Sequence, residues 1–342
     1  MSAAASTAGS TGAARGTAVQ RVRAALVSAL SWLACRLPEG PLIRLADAAG
    51  AAWYRLAPRR AGQARRNLAR VVAHLAATGA GTEEARAAAT DRRALERLVR
   101  AAFRHAARYY LEVARTPAMT ARTIRESMLV ETPEVVEAAF AQQRPVIFVG
   151  MHFGAIELPA LYLSVRTGRA AVAPMETIGD PALQRYFVRS RAAVGVRIVG
   201  LREARRELLA ALRRGESVGL VGDRDLTGGG VEVPLFGAPA RLPAGPALLA
   251  IEAGVPVYVV AVRRAGLGRY RGRLQSVEVA AEGSRRERLS ATLDGLARAF
   301  EAAIAAAPEQ WWAVFFPIWP DLGADGPVTG GSGRADSPGP SR

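Results

Sequence analysis

From residue 145 onward, short β-branched runs alternate with stretches of helical periodicity, and that alternation leaves few architectures open. Strands are predicted at 145–150, 170–174, 196–199, 217–222 and 255–262, with helices at 155–166, 180–194, 202–213 and 243–253. Pro145-Val146-Ile147-Phe148-Val149-Gly150 typifies the strands: a β-branched run ending in Gly, as a buried strand does. The pattern predicts an α/β fold with a largely parallel sheet flanked by helices on both faces. Arg273 to Val279 adds a further edge strand, and Arg285 to Ala307 a long C-terminal helix.

The chain ahead of this core reads as helical. Leu42, Leu45 and Ala49 continue to Trp53 and Leu56, where Pro58 stops the helix. Ala61 to Thr78 is strongly basic, with Arg59, Arg60, Arg65, Arg66 and Arg70 around it, and suits lipid headgroups or a solvated face. Gly79 to Thr90 reads as a linker and Asp91 to Arg115 as a helix, whose His105, like His74, is assigned to structure. Val22, Leu26, Leu30, Leu33 and Leu37 fall at helical spacing between basic ends. The uncharged run Ala24–Cys35 is twelve residues, too short to span a bilayer of about 30 Å. An interfacial amphipathic helix is the preferred reading, with a core-packing helix as its rival. A signal peptide would need a small-residue cleavage site before polar sequence, and a lipoprotein signal a Leu three residues before Cys35; neither is found. Residues 1–18 and 323–342 are expected to be disordered tails. Residues 19–322 are expected to form one domain: a helical, membrane-associated part (19–115) and an α/β core (130–322).

Composition narrows the partners. The chain has 342 residues, half of them hydrophobic, and a formal net charge of +16 carried without a single lysine. Part of that arginine bias reflects a GC-rich coding sequence, yet the excess still favours an anionic partner. Nucleic acid would call for a basic groove with stacking aromatics or a helix-turn-helix, and neither is seen, so a membrane surface is the better match. Cys35 stands alone, which excludes a disulfide framework and a cysteine metal site.

Two clusters carry the chemistry. Met151-His152-Phe153-Gly154-Ala155-Ile156-Glu157 follows the first strand. His and Glu five apart diverge on a continuous helix, so they meet only if His152 sits in the turn and Gly154 bends the backbone. Glu157 would then fix the imidazole tautomer while the other nitrogen takes a proton from a hydroxyl. The second cluster, Gly222-Asp223-Arg224-Asp225-Leu226-Thr227, ends another strand, where ligands gather in open α/β sheets. Gly228-Gly229-Gly230, Val231-Glu232-Val233 and Pro243-Ala244-Gly245-Pro246 follow it. A serine hydrolase would need a Gly-x-Ser-x-Gly elbow, which is absent.

Taken together, His152-x4-Glu157, Asp223-Arg224-Asp225-Leu226-Thr227, Val231-Glu232-Val233-x-x-Phe236-Gly237, Pro243-Ala244-Gly245-Pro246 and the ending Pro308-Glu309-Gln310-Trp311-Trp312 resemble the bacterial lysophospholipid acyltransferase superfamily. The branch is that of the lipid A biosynthesis and phosphatidylinositol mannoside acyltransferases, and the likeness covers roughly residues 20 to 322. It implies a glycerolipid-acyltransferase-like fold that moves a fatty acyl group from acyl-CoA or acyl carrier protein to a hydroxyl of a glycolipid. The acceptor would be phosphatidylinositol mannoside-like, lipid A-like, or a lysophospholipid. No metal or redox cofactor is implied, and the place of action is the cytoplasmic face of the inner membrane, peripherally bound. His152 matches the general base, Glu157 the acidic member of its dyad, and Glu232 a functionally important glutamate. The oxyanion of acyl transfer needs donors, and Gly154 N–H, Arg191 and Arg224 are candidates. Arg191, Asp223 and Arg224 are placed at the substrate: Arg224 either binds a phosphate or pairs with Asp223 and Asp225. A non-catalytic membrane-binding protein on the same fold is the alternative.

Overall fold

A computed structural model describes residues 17–323, apart from 169, 194, 226 and 227. Residues 1–16 and 324–342, most of both expected tails, and the Leu226-Thr227 end of the second cluster therefore lie outside the described residues, while Thr17 and Ala18, expected in the first tail, cap and open the first helix. Five helices come first: α1 (Ala18–Ala34), α2 (Glu39–Leu56), α3 (Pro58–Thr78), α4 (Glu83–Ala87) and α5 (Arg92–Arg115). Pro58 opens α3 at its first position rather than merely ending α2, and Gly79, with φ of 69°, ends it. The 79–90 stretch expected to be a linker holds α4, capped by the Thr82 side chain.

The core then runs α6 (Ala121–Ser127), β1 (Met128–Val130), α7 (Pro133–Ala141), β2 (Ile147–Gly150), α8 (Leu158–Thr167), β3 (Ala171–Met175), α9 (Pro181–Ala193), β4 (Val196–Gly200), α10 (Ala204–Arg213) and β5 (Val218–Val221). It ends with β6 (Val231–Leu235), β7 (Ala238–Leu242), α11 (Gly245–Ala253), β8 (Val257–Gly266), β9 (Arg269–Val277) and α12 (Arg285–Ala305). Seven strands form one sheet in the order β1-β9-β8-β2-β5-β3-β4, parallel except for the β8–β9 hairpin. β6 and β7 pair separately as a two-stranded hairpin. The α/β architecture is as the alternation predicts, with a correction at one border. The strand expected at 273–279 is not an edge, because β1 pairs with β9 outside it. At three residues β1 is too short to announce itself by pattern.

The two faces of the sheet differ. Ile147 and Val149 of β2, Val218 of β5, Val172 of β3 and Val257 and Val259 of β8 are fully buried on one face. They belong to a core shared with α3, α5, α10, α11 and α12. The register sets Phe148 beside Gly219 and Tyr258, and Gly150 beside Val221, on the other face. There Gly150, Gly219, Ala171, Ala173 and Gly272 provide little side-chain volume. α1, α7, α8 and α9 cover this side without filling it.

Helix α1 packs against α5 and α9 through residues such as the buried Ser31 and Ala34. Its outer side leaves Val19, Val22, Leu26, Trp32 and Leu33 exposed, and Leu30 is 64% accessible although it also lines the cavity beneath. No described helix is long and apolar enough to cross a membrane. The α3 arginines are mostly committed within the fold. Arg65 forks onto Glu96 at 2.8 and 3.1 Å, Arg70 meets Asp321, and Arg66 reaches the Leu322 carbonyl at 3.1 Å.

Candidate active site

After β2 the chain turns sharply, and Gly154 sets the turn. Its φ is 51°, and a Cβ there would lie 2.0 Å from the Val262 carbonyl oxygen, so the position admits only glycine. Three regions hold this turn. The Gly154 N–H donates to the Gln310 carbonyl at 3.0 Å, and Ala155 N–H to the Val262 carbonyl at 2.9 Å. The Arg264 guanidinium donates to the Gly154 carbonyl at 3.0 Å. Arg264 is buried but grips both Glu112 oxygens at 2.7 and 2.6 Å, which makes the interior charge tolerable. The Gln310 amide accepts from Arg264 N–H at 2.8 Å and donates to the Arg264 carbonyl at 2.9 Å, fastening the C-terminal segment to β8. Trp312 N–H donates to the His152 carbonyl at 2.9 Å. The main chain of residues 152–154 is thus fixed by β8, by α5 through Glu112, and by residues 310–312.

The carboxylate on His152 is Asp223. Its Oδ1 lies 2.7 Å from His152 Nδ1, and its Oδ2 accepts the His152 N–H at 3.0 Å. The Trp311 indole donates to the same Oδ2 at 2.8 Å. Asp223 is 1% exposed. Burial pushes its pKa up, but the His152 imidazole and the hydrogen bonds from His152 and Trp311 outweigh that and hold it below the ordinary carboxylate range. An ionised carboxylate on Nδ1 places the proton there and leaves Nε2 as the basic nitrogen. The Trp312 ring stands edge-on to the imidazole, centroids 4.5 Å apart, and stacks on Tyr109 at 4.8 Å.

This revises the roles read from sequence. Glu157 sits just before α8 and binds Arg191 at 3.1 Å, and among the described residues no hydrogen bond joins it to His152. Glu157 and Arg191 do line the same cavity as His152, so the structure brings the three together in a different arrangement. Asp223, expected at the substrate, is instead sealed behind the histidine with both oxygens occupied. Gly154 N–H, expected as an oxyanion donor, is spent on Gln310. Arg224 lines the cavity, and among the described residues its ion pair with Asp223 is not formed; its guanidinium lies 3.5 Å from the centre of the Phe316 ring. Glu232 lies on the exposed side of β6, opposite Arg241, away from the cavity-lining residues. Sequence reasoning missed the Trp311 contact with Asp223 and the Arg264–Glu112 support. The Pro-x-Gln-Trp ending was the one visible signal for the first, and no spacing rule signals the second. Among the described residues no cluster of His, Cys, Asp or Glu is arranged to hold a metal.

His152 stands at the rim of a cavity of about 790 Å³ between the sheet's small-residue face and the helices over it. Phe140, Phe148, Tyr162, Leu163, Ile198 and Val260 are among its apolar walls, and His152, Glu157, Glu176, Arg191 and Arg224 are among its polar groups. That volume falls within the range of small-molecule sites, roughly 300–1,000 Å³. A carboxylate-held histidine thus lines an apolar space of small-molecule size.

Residues 14–317 match the family described as bacterial lipid A biosynthesis acyltransferase, and the chain belongs to that family. It is accordingly an acyltransferase whose family reaction joins an acyl donor to a glycolipid. A phosphatidylinositol mannoside acyltransferase of Mycolicibacterium smegmatis is 31% identical over 243 residues, 68% of this chain and 72% of the relative. A protein of the same name from Mycobacterium tuberculosis is 31% identical over 153 residues, 43% of this chain and 48% of the relative.

Proposed function

We propose that this acyltransferase moves a fatty acyl group from a thioester, acyl-CoA or acyl carrier protein, to a hydroxyl of a phosphatidylinositol mannoside-like glycolipid. The supporting observation is the His152–Asp223 pair beside a largely apolar cavity. The fatty chain occupies the cavity, with its thioester carbonyl at the rim. His152 Nε2 takes the proton from the acceptor hydroxyl as its oxygen attacks that carbonyl. Asp223 holds the ring and stabilises the imidazolium that forms. The new C–O bond produces a tetrahedral oxyanion, and Arg191, oriented by Glu157, is the cation on the cavity wall that answers it. Collapse breaks the C–S bond, and His152 returns the proton to the departing thiolate. Glu232, on the hairpin, takes no part in these steps.

The reaction needs no metal or redox cofactor in this reading, because base, charge stabilisation and leaving group are all supplied. The exposed apolar side of α1 lies over the cavity wall to which α1 also contributes Val27 and Leu30. That supports a peripheral seat in the lipid interface, with the cavity opening towards the acyl chains. We place it on the cytoplasmic face of the plasma membrane, where both thioester donors are made.

A thiol-release assay tests this. Palmitoyl-CoA and polar-lipid acceptors are offered to the protein and to His152→Ala, with products identified by mass. Acceptor-dependent release lost in the variant supports the proposal. No transfer from either donor class to any glycolipid overturns it.

A further inference from the structure

Most arginines near the site have a carboxylate of their own. Arg65 has Glu96, Arg70 Asp321, Arg108 Asp47, Arg191 Glu157 and Arg264 Glu112. Two that share one aromatic ring differ. Arg224 lies 3.5 Å from the centre of the Phe316 ring, and Arg60, from α3, lies 5.8 Å from that same ring and 5.8 Å from Trp53. Among the described residues neither of them makes an ion pair.

The carboxylates nearby do not relieve this. Asp223 has both oxygens engaged by His152 and Trp311. Glu176 attracts Arg224 only through space. Burial draws the Arg224 guanidinium's pKa down against the pull of Asp223 and Glu176, so its charge has lost water without gaining a counter-ion. Arg60 sits in the first turn of α3, which has no acidic residue, so the positive end of that helix adds to its charge. A cation partly stripped of water, as Arg224 is, is costly to keep, and the exposed Arg60 sets a second positive charge beside the same ring. Stacking on an aromatic ring also fixes a guanidinium's plane, leaving its N–H edge preset for a bidentate acceptor. The ring itself comes from the C-terminal segment, so α3, the end of β5 and residues after Trp312 build the site together.

We propose that Arg60 and Arg224, set on Phe316, form a binding site for a phosphate or diphosphate group at the rim of the cavity. This rests on the acyl-transfer reading for the identity of the substrate that carries the group. Arg224 follows directly on Asp223 and lines the cavity that His152 lines. A phosphate held there tethers its substrate beside the reacting atoms, while the apolar cavity takes the chain. Two sources share this chemistry: the phosphates of a CoA or phosphopantetheine donor, and the phosphodiester of the acceptor's headgroup.

Calorimetric titration of the full chain with desulfo-CoA and with inorganic pyrophosphate is the direct test. Arg60→Gln and Arg224→Gln should each weaken binding of at least one probe about tenfold, the loss of one charge-assisted contact. Arg55→Gln, at an exposed arginine bonded to its own helix at Ala51, should leave both titrations unchanged. Steady-state kinetics then separates the sources. A KM rise for palmitoyl-CoA, but not for its phosphate-free N-acetylcysteamine thioester, assigns the site to the donor. A KM rise confined to the phospholipid acceptor assigns it to the acceptor. Binding and both KM values unchanged within twofold in Arg60→Gln and Arg224→Gln would overturn the proposal. Intact pyrophosphate binding in a protein with no acyl transfer would instead sink the acyl-transfer reading and leave the anion site standing.

Discussion

One face of the central sheet is closed and the other is hollow, although both are built by the same strands. On β2, Ile147 and Val149 point into a continuous core, while Phe148 and Gly150 face a cavity. On β5, Val218 is buried and its neighbour Gly219 would place a Cβ in open space, with nothing within 4 Å. Alternation along a strand lets neighbouring residues serve opposite purposes. Large side chains on one face supply stability, and missing side chains on the other supply room. The hollow face also carries the proposed base, since His152 continues the row of Phe148 and Gly150 beyond the strand's end.

The contrast predicts that damage to the two faces will be of different kinds. The largest effect should come from His152→Ala, which ought to lower transfer by about a factor of 10²–10⁴ while the melting temperature stays near that of the parent. A variant with undiminished transfer would remove the base from the mechanism. On the closed face, Ile147→Ala should behave in the opposite way. It deletes fully buried methyl groups and should cost about 2–5 kcal/mol in chemical denaturation, with turnover per folded molecule little changed. Equal loss of rate and stability in both variants would mean that the faces are not specialised.

Gly219→Leu sharpens the comparison further. Gly219 has an ordinary backbone conformation, so the substitution adds no positive-φ strain. It pairs with Phe148, which lies four residues before His152, or roughly 13 Å down the strand at ~3.3 Å per residue. A leucine there would shorten the space for the chain without moving the base. Octanoyl-CoA should remain a donor, whereas palmitoyl-CoA should lose at least about tenfold in kcat/KM, a penalty of ~1.4 kcal/mol. Parallel loss for both donors would show that the chain lies elsewhere.

The legible part of this molecule was the part written locally. Strands such as 145–150 and 196–199 reveal themselves by β-branched runs, and the helices between them by their period, so the layered fold follows from pattern. The border strand β1 has only three residues, and each strand of the β6–β7 hairpin is interrupted by a proline, Pro234 and Pro239, so neither gives such a signal. His152 was visible because a turn after a buried strand is a place for chemistry. Its partner was not, because Asp223 comes from a neighbouring strand and is chosen by sheet order. The five-residue spacing drew attention to Glu157, and the fold instead spends that carboxylate on Arg191. Trp311 stands in the Pro308-Glu309-Gln310-Trp311-Trp312 ending, but its use as a hydrogen-bond donor to Asp223 depends on residues 310–312 lying beside residues 152–154. Contacts so distant in sequence leave no period to read.

The smallest effect concerns acid. Asp223 faces His152 and Trp311 from two elements, with Arg224 next in the chain, and its pKa is held below the ordinary carboxylate value. The unfolded chain therefore binds a proton at this site more readily than the folded one, and stability rises with pH across that interval. The contribution is complete above the unfolded value of about 3.9 and fades as pH falls through the lower, folded one. In Asp223→Asn the carboxylate is absent at every pH. The stability gap between parent and variant should therefore be constant near neutrality and narrow only in the acid range below about pH 4. Denaturant titrations at stepped pH measure that gap directly. A gap that begins to close near pH 6 would mean that Asp223 is not the group that sets this dependence.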